Sequence, residues 1–176
     1  SLISCGGKTG GSSDTIKIGG VGPTTGGAAS YGTSVKNGAS LAVKEINDAG
    51  GVNGLKLELS FEDDENDPEK AVNAYNKLKD SGMQILMGTV TSTPCKAVKD
   101  NAHDDNMFLL TPSGSAVECT KYDNAFRICF SDPEQGVAMA DYAVGKFSGD
   151  QGRCRLRQLR RILERYLREV CGRVQG

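Results

Sequence analysis

Apolar residues follow two different spacings along this chain, and the two spacings alternate. Residues 15–22 and 55–61 show the period-two alternation that predicts strands. Residues 85–87 form an apolar run without alternation, which predicts a strand covered on both faces of a parallel sheet. Further strands are predicted near Met107 and over residues 126–130.

Segments with helical spacing lie between these strands. Helices are predicted over residues 35–48, over residues 68–79, from Pro94 onward and over residues 132–146. Strands that alternate with helices of about 10–15 residues indicate a parallel sheet. The predicted fold class is therefore α/β, with a doubly wound parallel sheet and helices on both faces.

Two of the predicted strands end in short loops rich in hydroxyl groups. Residues 88–93 follow the first, with Pro94 in the first turn of the next helix. Residues 111–115 follow the second and contain Ser113, Gly114 and Ser115. A helix N-terminus with free N–H groups and neighbouring hydroxyls binds anions, either carboxylate or phosphate. Two such loops at one sheet edge would face a single crevice.

The glycine-rich loop over residues 23–32 does not carry a nucleotide-binding motif. Thr25 occupies the position where a dinucleotide fingerprint requires its third glycine, and no Gly-Lys-Ser/Thr follows. No cofactor is therefore predicted. Tyr31 is the one large side chain in this loop, and it either covers a small ligand or packs against the next helix.

Other catalytic or metal chemistry has weak support in the sequence. His103 is the only histidine and no Gly-x-Ser-x-Gly motif occurs, which disfavours a hydrolase, and no enzyme activity is predicted. The acidic run 62–67 lacks the glycine and final glutamate of an EF-hand, so a solvated loop that caps the helix at Pro68 is favoured over a metal site.

The six cysteines include no CxxC pair, which disfavours a zinc site. Cys119 and Cys129 could form a disulfide outside the cytoplasm, or remain two thiols. Cys95 lies at a predicted helix N-terminus, which favours a lowered pKa, but its sequence neighbours do not indicate redox chemistry.

Charge is distributed unevenly along the chain. The net charge of −1 argues against a nucleic-acid partner. Residues 1–150 carry a net charge of −7, whereas residues 151–176 contain eight arginines, no lysine and two glutamates, for a net charge of +6. An apolar stripe at helical spacing in this tail predicts a basic amphipathic helix, if the tail is taken literally.

The N-terminal residues resemble a bacterial lipoprotein cleavage box. Aliphatic residues and Ser4 precede Cys5, which in such boxes becomes the lipidated N-terminus. A disordered terminus with an incidental thiol is the alternative. Residues 1–14 are thus expected to be a signal remnant and a Gly/Ser tether that anchors a soluble domain to the bacterial cell membrane. The sequence contains no predicted transmembrane segment.

An ordered set of short motifs resembles the branched-chain amino-acid type of periplasmic binding protein (type I). The set comprises Tyr31-Gly32, Asn37-Gly38-Ala39, Gly50-Gly51-Val52-Asn53-Gly54, Asp67-Pro68 and Thr111-Pro112-Ser113. The match covers roughly residues 15–148. The resemblance implies one lobe of a two-lobed extracytoplasmic protein that binds an amino acid in its cleft and delivers it to an ABC permease.

The resemblance also implies roles for individual residues. Ser92 and Thr93, with the helix N-terminal N–H groups, would receive the ligand carboxylate. Ser113, Gly114 and Ser115 would supply backbone carbonyl and hydroxyl groups to the ammonium and carboxylate. Tyr31 would lie over the ligand. For each serine, a helix cap alone is the alternative.

The resemblance stops where the arginine-rich tail begins. Family members continue with a further strand and a second lobe, whereas residues 149–176 are rich in arginine and lack lysine. Synonymous codons can be chosen for residues 153–171 so that translation from the second base gives a different sequence. That sequence reads as an apolar strand, an aspartate-rich loop and a helix start. The hypothesis is a frame shift that truncates the protein before its second lobe and leaves a non-native tail.

Two other functions share parts of this pattern. A receptor's ligand-sensing domain with the same fold would need a membrane segment and a signalling domain. A single-domain flavodoxin-like or regulator-like protein would need a phosphate loop or a phosphoacceptor, for which Asp63 and Asp64 are the candidates.

Overall fold

The computed structural model describes residues 15–147, and the remaining termini lie outside the described part. The strands are β1 (Thr15–Gly22), β2 (Lys56–Asp63), β3 (Ile85–Gly88), β4 (Phe108–Thr111) and β5 (Ala125–Arg127). The helices are α1 (Ala29–Asp48), α2 (Pro68–Asp80), α3 (Ser92–Asp104) and α4 (Asp132–Phe147), with a short 3₁₀ helix at Val117–Thr120. The sheet unit ends at Ser131, and α4 belongs to a second unit.

All five strands run parallel in the order β2-β1-β3-β4-β5. The chain moves outward from β1 to β2, crosses back to β3 and then continues to β5. Because such crossovers are right-handed, α1 covers one face of the sheet, and α2 and α3 cover the other. The predicted doubly wound parallel sheet is confirmed. Its direction of winding reverses between β1 and β3.

The fully buried core lies between the sheet and the α2–α3 layer. Val21, Leu86 and Leu109 from three neighbouring strands are completely buried there. Each such side chain contributes about 1.5–3 kcal/mol by leaving water. Tyr75 of α2 is also fully buried, and its hydroxyl donates to Asp105 Oδ2 at 2.7 Å, so its polar end is satisfied.

The opposite face of the sheet is less covered within the described residues. Ile85 and Met87 are only half-buried, which differs from the prediction of a strand covered on both faces. The stacked rings of Phe108 and Phe126 remain 42% and 48% exposed. The reason is that α1 packs on β1 and β2, at one end of this face, whereas Phe108 and Phe126 lie on β4 and β5 at its other end.

Two element boundaries differ from the sequence prediction. Helix α1 begins at Ala29 instead of residue 35, so Tyr31 lies in its first turn. Strand β5 ends at Arg127, three residues before the predicted end. Among residues 15–147, no helix is long and apolar enough to cross a membrane. The predicted tether with Cys5 and the basic tail lie outside the described residues.

Candidate ligand-binding site

The carboxyl ends of β1, β3 and β4 meet at one edge of the sheet. The loops that follow them are residues 23–28, 89–91 and 112–116. Strands β1 and β3 are neighbours in the sheet, and the winding reverses between them. Ligands of doubly wound sheets bind at such a switch point, outside the carboxyl ends of the strands. The predicted crevice corresponds to this edge.

The N-terminus of α3 lacks a side-chain cap. Thr91 occupies the N-cap position, but its hydroxyl donates to Asn66 Oδ1 at 2.7 Å and makes no cap hydrogen bond. By contrast, the N-cap Asp67 of α2 accepts from the Lys70 N–H at 2.9 Å, as the sequence predicted. The first amides of α3 and its positive dipole end thus retain the capacity to bind an anion.

The two predicted serine loops are hydrogen-bonded to each other. Ser92 Oγ accepts from the Ala116 N–H at 3.2 Å, and Ser113 Oγ donates to the Val90 carbonyl at 2.6 Å. A hydroxyl has one proton to donate and two acceptor positions. Ser92 can therefore still donate to a carboxylate, whereas Ser113 has used its proton and can accept from an ammonium group.

A buried threonine fixes the second of these loops. Thr111 Oγ1 donates to the Thr89 carbonyl at 2.7 Å and accepts from the Gly114 N–H at 2.9 Å. Thr111 is completely buried, so both bonds are shielded from water. They hold Gly114, and with it the half-buried Ser115, at the crevice edge. The sequence indicated Thr111 only as the start of this loop.

The acidic loop after β2 links the glycine-rich loop to α3. The Asp63 carboxylate accepts three hydrogen bonds, from Thr24 N at 2.9 Å, Thr25 Oγ1 at 2.6 Å and Glu65 N at 2.9 Å. Burial acts to raise the pKa of Asp63, but these hydrogen bonds outweigh it and hold the pKa well below its usual range. Asn66 then continues the link through its contact with Thr91.

Asp64 contradicts the expectation of a fully solvated acidic loop. It is completely buried; its Oδ1 accepts from the Asn66 N–H at 2.8 Å, and its Oδ2 has no hydrogen-bond partner among the described residues. Burial, reinforced by the nearby charge of Asp63, raises the pKa of Asp64 above its usual range. A buried Asp64 and a hydrogen-bonded Asp63 also disfavour a phosphoacceptor role.

Replacing Asp64 with asparagine should stabilise the protein at neutral pH. Because the pKa of Asp64 is raised in the folded protein, its ionised form lowers the free energy of unfolding at pH values above the unfolded pKa of about 3.9. This destabilisation is lost as the pH falls through the folded-state pKa and Asp64 takes up a proton. Asp64→Asn removes the charge at every pH. We expect a gain in the free energy of unfolding on the order of 1 kcal/mol at pH 7, and no gain below pH ~4, measured by urea denaturation.

Asp67→Asn is the matched control for this prediction. Asparagine caps a helix as well as aspartate does, and Asp67 is the cap of α2. Its substitution should change stability little across the same pH range. A lower stability of Asp64→Asn at pH 7 would show that the buried carboxylate is favourable in its charged form.

Tyr31 lies at the same edge as the serine loops. It follows β1, which pairs with β3, and its side chain is 62% exposed in the first turn of α1. The exposed ring has room to lie over a ligand. Thr93, in the first turn of α3, is also exposed at this edge.

The only histidine packs against a tyrosine ring, and the described residues offer no metal-binding group. His103 stacks on Tyr122 with ring centroids 4.0 Å apart. Residues 15–147 contain no group of three or more histidine, cysteine or acidic side chains that could hold a metal ion.

Cys119 is a thiol in the structure and is not bonded to Cys129. Its side chain is completely buried and its Sγ donates to the Ser92 carbonyl at 3.8 Å. The thiol therefore lies against α3, and of the two alternatives that the sequence left open, the structure has two thiols.

Comparison with known proteins agrees with this geometry. Residues 15–152 match the family described as periplasmic binding protein. The chain belongs to the periplasmic binding protein family. The resemblance that the sequence shows to this family is therefore confirmed for this periplasmic binding protein.

Relatives of this periplasmic binding protein carry names that state amino-acid binding. It is 37% identical to Leu/Ile/Val-binding protein homolog 3 of Brucella melitensis over 131 residues, which cover 73% of this chain and 36% of that protein. It is 38% identical to the leucine-, isoleucine-, valine-, threonine- and alanine-binding protein of Pseudomonas aeruginosa over 136 residues, or 76% and 36% of the two chains.

Solved structures show the same fold. The substrate-binding protein LivJ of Streptococcus pneumoniae, in complex with isoleucine, superimposes with a TM-score of 0.69 at 32% identity and covers 76% of this chain and 39% of its own. A substrate-binding protein of Desulfitobacterium hafniense in complex with Leu gives 0.67 at 30% identity, with 75% and 39% covered. The chain thus spans a little over a third of the length of these relatives.

Proposed function

We propose that this chain is the N-terminal lobe of an extracytoplasmic protein that captures a branched-chain or similar amino acid for an ABC importer. The observation that carries the proposal is the uncapped N-terminus of α3, with Ser92 beside it. Its amides and the Ser92 hydroxyl form a carboxylate site, and the Ser113 oxygen and the loop carbonyls form an ammonium site. Thr93, Gly114 and Ser115 border the site, and Tyr31 covers it.

The family supports a position outside the cytoplasm, and the residues before Cys5 support the proposed lipid anchor. The protein acts outside the cytoplasm, held at the bacterial membrane by lipid on Cys5, and passes its amino acid to permease subunits. A lobe that lacks its partner holds the ligand weakly, because closure of a cleft buries the solute on both sides. The frame-shift interpretation of residues 149–176 remains a prediction, and resequencing codons 140–180 tests it.

L-Leucine should bind to the full chain at the crevice edge. We expect fast-exchange shifts of the backbone amides of residues 91–93 and 113–116 when ¹⁵N-labelled protein is titrated with L-leucine. Leucinamide, which lacks the carboxylate, should lose the shifts at residues 91–93. Shifts of equal size with leucinamide, or shifts confined to other parts of the sheet, would contradict the carboxylate site.

Ser92→Ala should weaken this binding by roughly 10- to 150-fold, because a hydrogen bond to a charged group contributes roughly 1.5–3 kcal/mol. Ser40→Ala is the matched control, since Ser40 is exposed on α1 and its hydroxyl donates only to the Lys36 carbonyl of its own helix. Equal affinities of the two variants would remove Ser92 from the site.

A further inference from the structure

Part of one sheet face is left uncovered by the helices of residues 15–131. Helix α1 packs on β1 and β2 and leaves the β3, β4 and β5 part of the same face open. Side chains alternate between the two faces of a strand. The neighbours of the buried Leu86, Leu109 and Ala125 therefore lie on this side of the sheet. They include four apolar side chains, which we call the open face: Ile85, Met87, Phe108 and Phe126.

The open face is apolar and partly exposed. Phe108 and Phe126 stack with ring centroids 5.2 Å apart and are 42% and 48% exposed. Ile85 and Met87, beside them on β3, are half-buried. Three strands spaced about 4.8 Å apart give a strip roughly 10–15 Å wide, which is the width of one α-helix with its side chains. The open face therefore has room for one apolar side of a helix.

Helix α1 is the wall beside the open face. On one flank, the Asn47 side chain exchanges two hydrogen bonds of 2.8 Å with the Leu57 backbone, at the free edge of β2. Ala42 precedes Asn47 by five residues, which places it about 140° around the helix. Ala42 and the 38% exposed Ile46 therefore lie on the flank toward β3. The apolar side of α1 thus extends beyond the contact with its own sheet.

The outer side of α1 carries an exposed leucine. Leu41 follows the buried Gly32 by nine residues, which is half a turn around the helix, and it is 58% exposed. Among α1, α2 and α3, only α1 leaves large apolar side chains exposed. An apolar helix side and an apolar sheet face of matching width therefore occur on the same chain.

We propose that the open face binds α1 of a second copy of this chain, in a two-fold symmetric dimer. Each copy supplies one helix and one open face, so a single two-fold rotation fills both faces. Leu41 of each copy packs on Phe108 and Phe126 of the other. Electrostatics permits this contact, because the net charge of −1 leaves little repulsion between two copies.

The area of these surfaces fits a weak dimer. The open face together with Leu41 and Ile46 leaves on the order of 400 Å² of apolar surface exposed in each copy. Apolar atoms make up little more than half of a typical interface, so burial of this surface on both copies corresponds to about 1,400 Å² in total. Specific interfaces begin near roughly 1,200 Å². We therefore expect a dissociation constant in the micromolar range.

Sedimentation velocity of the full chain at increasing concentration tests the proposal. We expect the weight-average mass to rise from the monomer value of 18.6 kDa to twice that value and to stop there. A monomer at every concentration up to several hundred micromolar would overturn the proposal. Continued growth beyond the dimer would also overturn it, because a two-fold contact closes on itself.

Two charged variants distinguish this interface from non-specific association. Leu41→Glu and Phe126→Glu each place a carboxylate in the apolar contact and should raise the dimer Kd by about tenfold or more. Leu41 is exposed on a helix, so its variant should keep the fold, which circular dichroism checks. A Leu41→Glu dimer as tight as that of the unmodified chain would overturn the placement of α1.

Val117→Glu is the matched control for these variants. Val117 is 55% exposed, and its 3₁₀ helix packs on α3, which covers the other face of the sheet. Its Kd should therefore equal that of the unmodified chain. A loss of the dimer as large as in Leu41→Glu would count against the open face. The measurements are made without leucine, so their outcome is independent of amino-acid binding.

Discussion

Gly32→Ala is expected to destabilise the protein by about 3 kcal/mol, the upper range for overpacking a close contact. A methyl group at this position of α1 would lie 1.9 Å from the Pro23 carbonyl oxygen and 2.5 Å from its carbon. Both atoms belong to the backbone, so no side chain can rotate away. Alanine favours a helix over glycine by only about 1 kcal/mol, and the clash therefore decides the sign. Urea denaturation at pH 7 measures the effect.

Gly38→Ala is the matched control within the same helix. Gly38 is exposed, and a methyl group there would have no atom within 4 Å outside the helix's own neighbouring backbone. This substitution should therefore stabilise the protein by about 0.5–1 kcal/mol through helix propensity alone. Changes of the same sign in both variants would show that α1 does not begin against Pro23.

Thr111→Val is expected to cost about 2–6 kcal/mol, although valine has nearly the same shape. The Thr111 hydroxyl serves two buried backbone groups, the Thr89 carbonyl and the Gly114 N–H. Each group left without a partner costs roughly 1–3 kcal/mol. The free energy of unfolding measures the total, and amide hydrogen exchange at Gly114 reports the loss at the loop itself.

Thr111→Ser separates the hydroxyl from the methyl group. Serine keeps both hydrogen bonds and loses only one methyl, so its cost should stay near 1 kcal/mol and protection at Gly114 should persist. Equal destabilisation by serine and valine would mean that packing of the methyl group, rather than the two hydrogen bonds, makes Thr111 important.

The sheet and the loops at its carboxyl edge could be predicted because they depend on local signals. Apolar runs that end in glycine and hydroxyl residues mark where β3 and β4 stop, and both loops were expected to face one crevice. Asp67 before Pro68 likewise predicted a capped α2, which the structure shows. In each case the residues that determine the structure are adjacent in sequence.

The features that escaped prediction depend on contacts between distant residues. Helix α1 begins early because Gly32 packs on Pro23 across the loop, although glycines predict loop. Asp64 directly follows β2 and is buried there, although an acidic run alone predicts exposure. The sequence left open whether Cys119 and Cys129 form a disulfide, because only the fold brings the 3₁₀ helix to α3.

The acidic loop has a consequence for the thermodynamics of binding. Asp63 holds the loop after β1, and Asn66 holds Thr91 at the start of α3, so side-chain hydrogen bonds connect these segments before any ligand arrives. A ligand that docks at this edge meets loops whose conformational entropy was already lost when the protein folded. Its free energy of binding is therefore not reduced by the cost of ordering them.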